Sequence, residues 1–190
     1  MPSNNDHLAR RIRDSARTIT SLGDDLNAVS RACDVVREVV QNNSAVLTCG
    51  NGGSAAEALH LAEELVGRYR ANRPPIPALC LNADPTALTC IANDFGFEEV
   101  FARQIAALAR QGDCLVVFST SGNSANIVAA LRAARREKCL TIGLLGKGGG
   151  EAKALCDHAV VIASDDTAHI QEAHQVILHL ILECVESQRS

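Results

Sequence analysis

Ala45-Val46-Leu47-Thr48-Cys49-Gly50-Asn51-Gly52-Gly53-Ser54-Ala55-Ala56 is the stretch on which the fold turns. A short apolar run stops at a cluster of glycines, and small helix-forming residues resume at once. That is the pattern of a strand, a tight loop and a helix. Glycines let the chain turn sharply and bring backbone N–H groups towards a ligand, and the helix start favours an anion. Gly50, Gly52 and Ala55 also satisfy G-x-G-x-x-A, the spacing of a dinucleotide fold. That fold expects an acidic residue roughly twenty positions on, where this chain reads Arg70-Ala71-Asn72. A tight turn with no ligand is the plainer alternative.

The same rhythm repeats on either side. Apolar runs stand at 78–81, 114–118, 140–145 and 159–162, helical segments fit between them, and a last helix fits Thr167 to Glu186. Alternating strands and helices predict an α/β domain, a five-stranded parallel sheet of flavodoxin-like build with helices on both faces. Such sheets bind ligands beyond the carboxyl ends of their strands. After the third run stands Ser119-Thr120-Ser121-Gly122-Asn123-Ser124, followed by a helix from Ala125. Hydroxyls and free N–H groups can hold a phosphate monoester without Lys or Arg. A Ser-rich turn also serves as a helix cap, Ser124 being the candidate, but this run is longer than capping requires. Upstream, Leu8, Ile12, Ala16 and Ile19, then Leu26, Val29, Cys33, Val36 and Val40, mark two amphipathic helices punctuated by Gly23 and Asp24. The organisation is therefore an N-terminal helical pair over 1–43, assigned to oligomerisation, before a domain over 44–190.

Composition narrows the function. The 190 residues suit one domain with a small helical appendage, and with 47% hydrophobic but 3% aromatic residues its core must be aliphatic. A net charge of −4 without a block of like charges, and few aromatic platforms, argue against a nucleic-acid partner. No apolar run approaches a membrane span, and the first residues contain no apolar signal core. The eight cysteines form no C-x-x-C pair, and most lie in apolar runs where a thiol acts as a small hydrophobe. The expectation is a cytoplasmic protein with reduced cysteines and neither a nucleic-acid nor a membrane partner.

Five motifs, in order, narrow it further: CGNGGSAA (49–56), HLAEELVGRY (60–69), ANDFGF (92–97), STSGNS (119–124) and IQEAH (170–174), with His179 beyond. On this strand pattern they resemble the phosphoheptose isomerase family of SIS domains over nearly the whole chain. The resemblance implies an aldose–ketose isomerase, a homotetramer, acting on a phosphorylated heptose. It would interconvert D-sedoheptulose 7-phosphate and D-glycero-D-manno-heptose 7-phosphate, supplying heptose for lipopolysaccharide. Residue by residue, it implies that Asn51, Gly52, Gly53, Asn93 and Asp94 contact the sugar phosphate. Ser119, Thr120, Ser121 and Ser124 would hold the phosphate. His60, Glu64, Gln171 and His179 match the family's zinc ligands, Glu64 and His179 being also its acid–base pair. Glu64 and Gln171 are thereby substrate contacts too, and Arg68 matches a further position near the substrate. Relatives commonly carry Arg where this chain has His169, which alters local charge and removes no implied ligand.

Read without the family, the residues carry part of this chemistry. Isomerisation needs one base at carbon and one acid at the carbonyl oxygen, roles suited to a carboxylate and an imidazole. His60 and Glu64, four apart, share a helix face, with Glu63 pointing elsewhere as a surface charge. Gln171 and His179 lie eight apart, about 12 Å along a helix, so they could share an ion only by reaching towards each other. Gln is also an unusual zinc ligand, and the acid–base pair is the better supported of the two. His174 is read as a neighbouring polar residue, His158 has no evident role and His7 faces solvent. Two other readings stay open: a phosphosugar-binding regulator of the same fold, which retention of Glu64 and His179 opposes, and an isomerase of another ketose phosphate.

Overall fold

Each apolar run forms a strand, displaced from its expected bounds by no more than one residue. In the computed structural model, which describes residues 4–187, the strands are β1 (Val46–Gly50), β2 (Ala78–Cys80), β3 (Cys114–Ser119), β4 (Leu140–Leu145) and β5 (His158–Val161). All pairings are parallel and the order is β2-β1-β3-β4-β5. The winding therefore reverses between β1 and β3, the place where a doubly wound sheet opens a ligand crevice. The two loops singled out by composition follow these two strands.

The helices are α1 (Asn4–Thr20), α2 (Leu26–Gln41), α3 (Gly53–Val66), α4 (Pro85–Phe95), α5 (Ala102–Leu108), α6 (Ala125–Arg136), α7 (Gly150–Leu155) and α8 (Thr167–Glu186). Side chains alternate across a strand, and β3 shows how this divides the core. Val116 and Phe118 pack with α2, α3 and α8, while Leu115 and Val117 pack with α5 and α6. Helix α8 is buried on a wide stripe, with Ile170, Ile177, Leu178, Ile181 and Leu182 fully enclosed. Each such residue contributes about 1.5–3 kcal/mol by leaving water. Its neighbours α1, α2 and α3 supply the other wall.

The two N-terminal helices differ in kind. Val29, Val36 and Val40 sink α2 into the core, and Asp25 caps it by accepting from the Ala28 N–H. No residue of α1 is buried, and Leu8 and Ile12 are 50% and 70% exposed. On α1, the Arg11 guanidinium lies 2.6 Å from Asp166, the N-cap of α8. That hydrogen bond, with the two capping N–H groups, holds the Asp166 carboxyl well below the usual carboxylate range. Among the described residues no helix is long and apolar enough to cross a membrane. The cysteines are free, and burial pushes the Cys49 and Cys114 thiols far up, so they act as hydrophobes.

Candidate active site

The first loop is built by three glycines. A Cβ on Gly50 would meet the Ser54 carbonyl oxygen at 2.3 Å, Gly52 sits at φ +57°, and a Cβ on Gly53 would meet the Gln171 amide at 2.5 Å. Each position thus excludes a side chain for its own reason. Asn82 fixes the strand end, accepting from the Gly50 N–H and donating to the Gly50 carbonyl.

The second loop folds on its own hydroxyls. Ser119 Oγ accepts from the Gly122 N–H at 3.0 Å, and Ser121 Oγ accepts from the Asn123 N–H at 3.2 Å. Ser124 does occupy the N-cap position of α6, but its side chain makes no capping bond. Its hydroxyl lines the cavity instead. Asn51 and Asn126 exchange two amide hydrogen bonds of 2.9 Å each, stitching the loops together across the crevice. Asn126, buried at 2% exposure, was not picked out from the sequence. Its position in the first turn of α6 after the Ser-rich loop was the available signal.

Between the loops lies a cavity of about 210 Å³, lined by Asn51, Gly53, Ser54, Phe118, Ser119, Thr120, Ser121, Ser124, Thr167 and Gln171. It contains hydroxyls, amides and a helix start, with no Lys or Arg on its walls. That lining suits one tetrahedral anion held by neutral donors. Thr167, the first residue of α8, is a further member that the sequence reading missed.

Two turns further along the α3–α8 seam stands a second group. His60 Nε2 faces Glu64 Oε1 at 3.6 Å, and His60 Nδ1 meets Gln175 Oε1 at 3.1 Å. The His179 ring approaches His60 edge-on, with centroids 5.4 Å apart, and Tyr69 stacks on its other side at 5.6 Å. Gln171, Gln175 and His179 thus form one line down α8. Its top lies in the phosphate-sized cavity and its foot among the imidazoles.

Several sequence expectations change. Glu63 does not point away: its carboxylate joins His60 and Glu64 in a set whose ligand atoms lie within 4.8 Å of one another, the only such set among the described residues. Its side chain remains exposed, as the spacing predicted, and it is the reach of the flexible carboxylate that brings it to His60 and Glu64. Gln171 sits over Gly53, where it lines the cavity. Arg68, Asn93 and Asp94 are exposed and do not line the cavity. Asn93 donates to its neighbour Asp94 at 2.7 Å, and Asp94 receives the Cys90 thiol at 3.7 Å. His174 proves wholly buried, while His7 is exposed as expected.

Tyr69 owes its place to Glu186. This buried carboxylate accepts from the N–H groups of Tyr69, Arg70 and Ala71 and from Arg73 Nε, at 2.9–3.1 Å. Burial alone would raise its pKa, but these donors outweigh burial and hold the group below its ordinary range. Nothing in the local sequence announced that a residue near the end of α8 would order the chain after α3.

A family model for the SIS domain matches residues 11–146. A phosphoheptose isomerase of Campylobacter concisus is 48% identical over 161 residues, covering 85% of each chain. Among solved structures, a phosphoheptose isomerase of Neisseria gonorrhoeae superposes with a TM-score of 0.92 at 35% identity, covering 97% of this chain and all of that one. One from Francisella tularensis gives 0.94 at 30% identity, covering 98% of this chain and all of that one.

Proposed function

We propose, from the premise that this chain belongs to the phosphoheptose isomerase family of SIS domain proteins, that it interconverts D-sedoheptulose 7-phosphate and D-glycero-D-manno-heptose 7-phosphate. The observation that carries this reading is the α3–α8 seam. A phosphate-sized cavity lies at one end, and an imidazole–carboxylate group lies at the other. The roughly 12 Å from Gln171 to His179 along α8 is then the length an extended sugar phosphate must bridge.

In this reading Ser119, Thr120, Ser121 and Ser124 hold the phosphate, with the backbone N–H groups of Gly52 and Gly53. Gln171 reaches the sugar from above Gly53. Glu64 takes the proton from the carbon beside the carbonyl, His179 supplies one to the carbonyl oxygen, and an enediol lies between. The return of protons to the alternate positions completes the exchange. His60 holds Glu64 in place, and Tyr69 holds the plane of the His179 ring.

The donors also fit zinc. Two imidazoles and a carboxylate are the nitrogen and oxygen ligands that zinc takes, and His60, Glu64 and His179 would hold it, with Gln171 as a fourth ligand if it leaves its seat over Gly53. Bound there, the ion would act as a Lewis acid on the carbonyl. Metal analysis of chelated protein, paired with its turnover, tests this.

The exposed stripe of α1, including Leu8 and Ile12, supports assembly into a homotetramer. Arg68, Asn93 and Asp94 stand clear of the cavity of their own chain, and their substrate role would be met through that assembly. Light scattering that gives a stable monomer at micromolar concentration would remove this part. Free, largely buried cysteines support a cytoplasmic location. The regulator reading is not favoured, since the relatives are named as isomerases and Glu64 and His179 stand together on the seam. The deciding experiment is a panel of phosphorylated ketoses with chiral product analysis. Conversion of the seven-carbon ketose to the manno-configured aldose is expected, and a faster turnover of another ketose would overturn the substrate.

A further inference from the structure

Between the two ends of the seam lies a pair with no role in the reaction described above. Glu57 of α3 and His174 of α8 face each other with Nδ1 and Oε2 at 3.6 Å, and their side chains are 3% and 0% exposed. Among the described residues, neither carboxylate oxygen and neither ring nitrogen has a hydrogen-bond partner. Buried polar groups are normally paired, and leaving one unpaired is costly. Apolar residues of similar size serve a core equally well or better than a buried ionisable pair. Stability alone therefore gives no reason for these two groups at this depth.

Their position does. Glu57 stands three residues after Ser54, which lines the cavity, and three and seven before His60 and Glu64, along the face of α3 that meets α8. His174 stands three residues after Gln171 and one before Gln175. Its ring also meets Phe118 edge-on, with centroids 6.1 Å apart. Phe118 lines the cavity and precedes Ser119. The pair thus touches the three elements whose relative placement sets the distance from the phosphate cavity to the acid–base group.

We propose that Glu57 and His174 are a positioning pair, which fixes the docking of α8 on α3 so that His60, Glu64 and His179 stand at the correct distance from a phosphate held between the loops. The inference rests on the isomerase reading for its kinetic consequence and on the packing alone for its structural one. It separates from a role in stability through the double variant E57L/H174F, which replaces the pair with apolar groups. This variant is expected to fold with a melting temperature at or above that of the parent. Its kcat should fall by about 10²-fold, the scale of an ångström-sized misplacement, with KM for the sugar phosphate little changed. The conservative E57Q, which keeps the size and polarity of the side chain facing the imidazole, should keep most of the parental kcat. A second readout needs no turnover: the nuclear Overhauser contact between the His60 and His179 rings should be present in the parent and lost in the double variant. A folded double variant that retains this contact overturns the proposal whatever its rate. A parent that shows the contact but isomerises no sugar phosphate removes the functional reading, and loss of the contact in the variant then still supports the pair.

Discussion

At one end of the α3–α8 seam lies a cavity lined by hydroxyls and amides and set by glycine turns. At the other end stand side chains from two helices, His60 and Gln175 meeting across 115 residues of sequence. The first kind of site is held by the chain that carries it: Gly50, Gly52 and Gly53 allow a path that a side chain would obstruct or strain, and Ser119 bonds within its own loop. The second kind exists only while two helices stay docked. On the proposed reading, the contrast makes anion binding locally specified and redundant, whereas proton transfer would hang on single side chains placed by packing. Losses at the chemical end should therefore be larger than at the binding end.

The sharpest way to break that comparison is Glu64→Gln or His179→Gln. Both keep near-native size, and each should cut turnover by roughly 10²–10⁴-fold, the usual scale for a positioned acid or base, while sugar-phosphate binding survives. Exchange of solvent deuterium into the substrate should fall in parallel, and the double variant should cost less than the product of the singles. Thr120→Ala removes one donor to a charged acceptor, a loss of about 1.5–3 kcal/mol. It should appear in affinity for a phosphosugar, measured calorimetrically, with the deuterium exchange of bound substrate retained. Gly122→Ala probes how the binding loop is held. Gly122 has φ +65°, and its added Cβ would lie 1.9 Å from the Gly149 carbonyl oxygen. A destabilisation of about 1–3 kcal/mol in denaturant melts is expected.

The smallest effect concerns Glu186, which ties the chemical end to the chain after α3. Its folded pKa is depressed below the ordinary 4.5, so the stability it contributes is complete above that value and lost as pH falls through the folded pKa. Acid titration of the melting temperature should show Glu186→Gln losing less than the parent below about pH 4.3, with a lower starting value at neutral pH. Equal acid slopes for the two would mean that the nest around Glu186 carries no such linkage.

These differences follow how the residues are encoded. The strands, the loops after β1 and β3 and the full length of α8 were legible because apolar runs, glycine clusters and helical periodicity are local signals. The cavity-lining serines and Gly53 were legible for the same reason. Asn126, Thr167, Gln175 and Tyr69 were not, since each acquires its place by meeting a partner far along the chain. Glu63 was misjudged because helical spacing gives the direction of a Cβ and not the reach of a flexible carboxylate.

The N-terminal helices show the same boundary. Their apolar stripes look alike in sequence, yet α2 is enclosed and α1 is left exposed with Leu8 and Ile12 outward. By itself, then, the sequence determined the strand–helix alternation and the two loops that bound the cavity. Hydrophobic period and backbone freedom act over a few residues and need no partner. Only the tertiary structure decided that β1 and β3 are neighbours at the reversal, that Gln171 belongs to the phosphate end and His179 to His60, and that Glu57 meets His174 between them. Contacts of that kind arise from the docking of α8 on α3, and docking geometry is the joint result of many side chains filling one space.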